Sequence, residues 1–209
     1  MTALLALLAA LFLGVADFLG GALSRRVAQI SVLVLSQLVA TIAVVPRILA
    51  EPIGPDALPA YGWGAVSGIG AAVGVAALYR ALAIGTMGVV APIAALSVLV
   101  PVGAGIVGGD TAGPLLITGM IAAVIGTVLA SGPEVRGAGR GGVRPIVLAL
   151  VAALGFGVNN LAVAWGSAHD VSATLLANVL ATLLVYLIAL AALRVVPRAA
   201  ARNPVGSIA

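Results

Sequence analysis

Few side chains in this sequence can do chemistry, and those few are amides, hydroxyls and one carboxylate set among apolar residues. Asp17 lies in the apolar run from Ala3 to Leu23, about four residues, or roughly 6 Å, from the middle of a helix of that length. An acid so placed costs roughly 2.5 to 3.5 kcal/mol to insert into a membrane, which eight leucines in the same run offset at roughly −0.5 kcal/mol each. Two kinds of work suit it: carrying a proton, or serving as counter-ion to a cationic substrate. The plainer readings are a pair with Arg80, a hydrogen bond to a neighbouring helix, or exposure to a water-filled vestibule. Asn159 and Asn160 form a second polar spot. Gln37 and Thr41 share one helix face, four residues apart, as do Asn178 and Thr182. Such faces point inward, where they line a path for a polar molecule or simply hydrogen-bond between helices.

Other chemistries lack their residues. There is no cysteine, hence no disulfide, thiolate metal site or cysteine nucleophile. All ten basic residues are arginine, which removes Schiff-base chemistry. His169, the single histidine, sits beside Asp170 in a short loop, without the partners a hydrolase needs. One histidine and scattered acids make no metal site. The expectation is a protein that is not an enzyme and holds no cofactor and no metal.

The elements that position these groups follow from composition. With 63% hydrophobic and 8% charged residues and a mean hydropathy of +1.28, too little polar surface exists to coat a water-soluble fold. A run of about 20 apolar residues crosses a bilayer as a helix. Seven runs qualify: Ala3 to Leu23, Ile30 to Leu49, Tyr61 to Ala83, Met87 to Gly108, Gly113 to Ser131, Ile146 to Trp165 and Val171 to Leu193. The predicted fold is all-α, a polytopic transmembrane bundle of about seven spans in a cell membrane. Met1 and Thr2 supply no basic segment of the kind that opens a secretory signal, so the first run is read as a retained span. The net charge of +4 does not mark a nucleic-acid binder, because the arginines lie between spans without interleaved aromatics; lipid head groups are their expected partners.

Within the spans, Gly64, Gly68, Ala72 and Ala76 recur every four residues with Gly70 and Gly74 beside them, a stripe suited to close helix packing within the bundle or with a second copy. Pro92 and Pro101 should kink the fourth span. Tyr61, Trp63 and Tyr186 read as interfacial anchors.

The chain also contains a repeat. Leu5 to Val15 matches Leu148 to Val158 at eight of eleven positions, 143 residues apart. That offset sets Asp17 opposite Asn160. In the next helix, 141 residues apart, Ser31 meets Ser172, Gln37 meets Asn178, Ala40 meets Ala181 and Thr41 meets Thr182. A five-helix unit is odd in number, so a second copy starts from the opposite face of the bilayer, as in secondary carriers built from inverted repeats. The expected organisation is a first repeat over 1–132, a loop over 133–145, and a partial second repeat of two helices with a basic tail over 146–209. Arg25, Arg26, Arg80, Arg136, Arg140, Arg144, Arg194, Arg198 and Arg202 fall on one side of these spans, and Arg47 on the other with Glu51, Asp56, Asp110 and Asp170. By that bias the amino terminus is outside.

Phe12 to Arg26 (FLGVADFLGGALSRR), Ala77 to Val102 (ALYRALAIGTMGVVAPIAALSVLVPV) and Gly155 to Trp165 (GFGVNNLAVAW) give the chain, nearly throughout, a resemblance to the EamA-type transporters of the drug/metabolite transporter superfamily. That resemblance implies a carrier of small metabolites, amino acids or drugs, built on ten helices of which the last three are missing here, and a cytoplasmic amino terminus, contrary to the arginine bias. The family's Gly-Glu-basic turn is matched by Gly109-Asp110-Thr111, which keeps the acid and lacks the base. A truncated, non-transporting chain with a structural or assembly role is the alternative.

Overall fold

Proline and glycine divide the apolar sequence into rods. The computed structural model describes residues 2–109, 111, 113–135 and 143–200. Its helices are α1 (Thr2–Leu23), α2 (Gln29–Ala50), α3 (Leu58–Ile84), α4 (Met87–Ala95), α5 (Leu99–Val107), α6 (Pro114–Val135), α7 (Arg144–Ser167) and α8 (Val171–Ala200), with a 3-10 turn, Leu96–Val98, joining α4 to α5. Pro52, Gly54 and Pro55 fill the gap before α3, and Gly109 leaves α5 at φ 100°, a backbone conformation that favours glycine. No strand occurs among the described residues. Asp110, Arg136, Arg140 and Arg202, counted above for orientation, lie outside the described residues, as do the side chains of Arg194 and Arg198.

Five rods are long and apolar enough to cross a membrane: Gln29–Ala50, Leu58–Ile84, Met87–Val107, Arg144–Ser167 and Val171–Ala192. This is the architecture of a multi-pass membrane protein. The other two expected spans are also helical, with shorter apolar segments, Leu11–Leu23 and Ile117–Gly126, among the described residues. The expected fourth span is broken rather than merely bent. Proline at 101 has no N–H to give to the carbonyl of Ser97, and its ring crowds that carbonyl, so the preceding turn tightens at Leu96–Val98. Helix α4 runs through Pro92 without interruption.

Helix α3 is the centre of the bundle. It packs along α7 and α8, while α2 lies on α8, α4 on α6 and α7, and α1 against α3. The approach is backbone to backbone. A Cβ on Gly155 would come within 2.7 Å of the Gly74 nitrogen and 2.8 Å of the Gly70 oxygen, and one on Gly68 within 2.4 Å of the Asn178 oxygen. Small residues also leave the carbonyls of α3 open to partners. Thr182 Oγ1 donates to the Gly68 oxygen at 2.9 Å, Tyr186 OH to that of Ala72 at 3.3 Å, and Gln29 Nε2 to that of Ala76 at 2.6 Å. Tyr186 is therefore a buried strut at 4% exposure rather than an interfacial anchor; it lies midway along α8, where a hydroxyl needs a protein partner.

The two ends of the bundle differ. At one end Arg25 donates through Nε to the Leu82 oxygen at 3.1 Å and through Nη2 to that of Gly85 at 3.3 Å. A Cβ on Gly85 would lie 2.6 Å from Pro145, so the start of α7 is at this end too. At the other end the Gly54 N–H donates to Asp170 Oδ2 at 2.9 Å and Ser172 Oγ to the Glu51 oxygen at 2.8 Å. Trp63 and Trp165 meet there edge to face, centroids 4.8 Å apart. Helix α1 ends where α7 begins, so the two run through the bundle in opposite senses.

Candidate functional site

A cavity of about 530 Å³ lies between α1, α3, the α4–α5 break, α7 and α8. Its walls are apolar, from Leu13, Val75, Leu78 and Phe156, and its polar groups are Asp17, Ser97, Asn159, Asn160 and Asn178. The cavity reaches from Leu82 and Met87, near the end that carries Arg25, down to Asn178. A neighbouring hollow of about 460 Å³ shares Leu82 and Met87 with it and adds Phe18, Arg25 and Thr86. The two hollows together run from the Arg25 end toward Asn178, with Asp17 part of the way along.

Each polar group reaches the cavity for a local reason. Asp17 sits on the face of α1 that meets α3, where the Tyr79 ring takes the space beside Gly20 and comes close enough to interact electrostatically with Asp17. Asp17 is half-buried, and it forms no ion pair among the described residues. Arg80, the partner considered for it, is exposed and lines a separate cleft. A carboxylate at this depth persists when the cavity hydrates it, a proton neutralises it or a cation matches it.

The asparagines form one network. Asn178 Nδ2 donates to Ser67 Oγ at 2.7 Å and to Asn159 Oδ1 at 2.9 Å, and Asn159 Nδ2 donates to Asn160 Oδ1 at 3.3 Å. Ser67, fully buried, passes its own proton to the Gly64 oxygen at 2.8 Å. Asn160 is exposed to the cavity and has amide hydrogens to spare, the groups a polar solute would meet. The break at Leu96–Val98 places Ser97 in the wall, where irregular backbone is tolerated because it lines a cavity.

Four of the five polar candidates from the sequence, Asp17, Asn159, Asn160 and Asn178, line this one cavity. Gln37 does not. Its Nε2 donates to the Val179 oxygen at 3.0 Å and ties α2 to α8, while Thr41 bonds back to the Gln37 oxygen within its own helix. Ser67, Ser97, Tyr79 and Phe156 escaped sequence reasoning, being common residue types in apolar helices with no spacing to mark them. Asp170 also has more to do than sit in a solvated loop. Its Oδ1 accepts the Ala173 N–H at 2.8 Å, which caps α8, while Oδ2 holds Gly54. An acid just before an apolar run is a helix-start signal that was there to be read. Hydrogen bonds from Ala173 and Gly54 hold this carboxyl below its ordinary 3.8. No group of metal-ligating side chains occurs among the described residues.

Fold and site together define a multi-pass helical membrane protein with a cavity inside its bundle that is lined by a few polar groups. No family model, curated protein or solved structure matches the chain.

Proposed function

We infer that this protein is a secondary carrier that moves a small metabolite or drug-like molecule across a cell membrane by alternating access, of the EamA type that its sequence resembles. The observation that carries this reading is the one cavity lined by both Asp17 of α1 and Asn160 of α7, positions paired by the 143-residue offset. Carriers with inverted repeats hold their substrate where the two halves face each other. Opposed directions of α1 and α7 support such an inverted arrangement over the span 1–132 and the partial copy over 146–209.

In this reading the present form is open toward the Arg25 end and shut at the other by Trp63 against Trp165 and by Asp170 on Gly54. Transport requires that seal to part as the cavity closes around its load. Asp17 supplies the coupling: it takes up a proton or matches a cationic group, and releases it when the opposite mouth opens. The amides of Asn159 and Asn160 orient the solute through its polar atoms.

The experiment is flux into liposomes containing the purified chain, with and without a pH gradient, screened over amines, amino acids and small drugs. Gradient-dependent uptake is expected, and Asp17→Asn should lower the gradient-driven rate by at least about tenfold while exchange in the absence of a gradient persists. Flux indifferent to Asp17→Asn removes the acid from the coupling. Absence of flux for every class favours the structural or assembly role.

A further inference from the structure

On the outer side of the α3–α7 pair, away from the cavity, lies a cleft of about 340 Å³ lined by Arg80, Ile84, Val143, Arg144, Val147 and Leu148. Its composition is unusual for a chain in which charged residues are 8% of the total: among the described residues it has two arginines, four apolar residues and no acid. Arg80 stands about one turn before the end of α3, and Arg144 opens α7, which runs antiparallel beside it. Side chains from two helices thus bring both arginines to one cleft. Arg80, Val143, Arg144 and Val147 are all exposed there.

Two further features favour an anion. Val143, the residue just before α7, has no polar side chain to cap it, and Pro145 in the first turn has no N–H. The Arg144 and Ile146 amides are left without an intrahelical acceptor at the positive end of a 24-residue helix. The adjacent carbonyl end of α3, which would repel an anion, is covered by Arg25 on the Leu82 and Gly85 oxygens. Both electrostatic terms thus have the same sign.

We propose that this cleft binds the phosphate headgroup of an anionic phospholipid, with Arg80 and Arg144 on the phosphate and an acyl chain along Val147 and Leu148. The apolar wall decides for a lipid: it would waste its contact area on a soluble phosphate, and the exposed Val143 and Val147 are apolar surface that an acyl chain covers. The site is independent of what the central cavity carries.

Native mass spectrometry of the detergent-purified chain, offered phosphatidylglycerol or phosphatidylcholine, tests it. Each surface arginine is worth about fivefold in affinity for an anionic lipid, so a preference of roughly thirtyfold for phosphatidylglycerol is expected. The double variant Arg80→Gln, Arg144→Gln should lose that preference, and Arg47→Gln, at the opposite end and ion-paired to Glu51, should keep it. Where the double variant does not fold, Arg144→Gln alone, at an exposed helix start, should lose about fivefold. Equal retention of the two lipids by the unmodified chain, or a preference untouched by the substitutions, overturns the proposal. Displacement of the lipid by millimolar inorganic phosphate would reassign the site to a soluble anion and overturn it equally.

Discussion

Asp170 joins two loops with its two oxygens, one capping α8 through Ala173 and one holding the Gly54 amide of the α2–α3 loop. Both bonds favour the ionised form, so the carboxyl titrates below 3.8 in the folded protein and near it when unfolded. An acid with a lowered folded pKa contributes stability above its unfolded value and loses it as the pH falls through the folded one. Thermal unfolding in detergent should therefore show a midpoint that drops below about pH 3.8. Asp170→Ala should lie about 2 to 4 °C lower at pH 7 and respond less to acid; equal acid sensitivity in both proteins would assign the effect to other carboxyls. Legibility at this scale depends on surroundings. Asp17, Asn159, Asn160 and Asn178 stand out because each is a costly group amid apolar neighbours, and cost implies a reason. Gln37 stands out just as clearly, yet its partner is a main-chain carbonyl on α8. Residue type gives no hint of that partner, since every residue of every helix carries the same acceptor.

Helix spacing carries more information than residue type, because a span length and a four-residue period are geometric. Most helix boundaries fall within a few residues of the apolar runs, and Gly64, Gly68, Gly70 and Gly74 of α3 lie at its close approaches to α7 and α8. The direction of each stripe could not be read, since Gly64 and Gly68 turn to α8 while Gly70 and Gly74 turn to α7, and a 3.6-residue repeat serves either neighbour. The broken span shows a further limit: two prolines suggest two kinks, but only the crowding ahead of Pro101 interrupts the helix. A paired substitution tests the packing. Gly70→Ala sets a Cβ 2.8 Å from the Gly155 oxygen, whereas a Cβ on Gly14 meets nothing within 4 Å. Gly70→Ala should cost about 1 to 3 kcal/mol, and Gly14→Ala should be neutral or gain up to about 1 kcal/mol from helix propensity, both by unfolding in mixed micelles. Equal effects would mean that α3 and α7 separate freely enough to absorb a methyl group.

At the scale of the whole molecule the question is which way each half crosses the bilayer. The repeat offsets of 143 and 141 residues are a property of the sequence; the packing adds direction, because Arg25 is bonded to the end of α3 while Asp170, beside His169, is bonded to the loop before it. A helix of 27 residues separates those two contacts, about 40 Å at 1.5 Å per residue, which is the thickness of a bilayer with its head groups. Arg26 and His169 are both exposed at these opposite ends. The chain contains no cysteine, so Arg26→Cys and His169→Cys each report a single site. In sealed cells or oriented vesicles, a membrane-impermeant thiol reagent should label one variant from outside and the other only after permeabilisation. Which of the two is labelled from outside also separates the arginine bias, which puts Arg26 in the cytoplasm, from the family resemblance, which puts it outside. Labelling of both from one side would leave α1 and α7 parallel, and a cavity built from opposed halves could not exist.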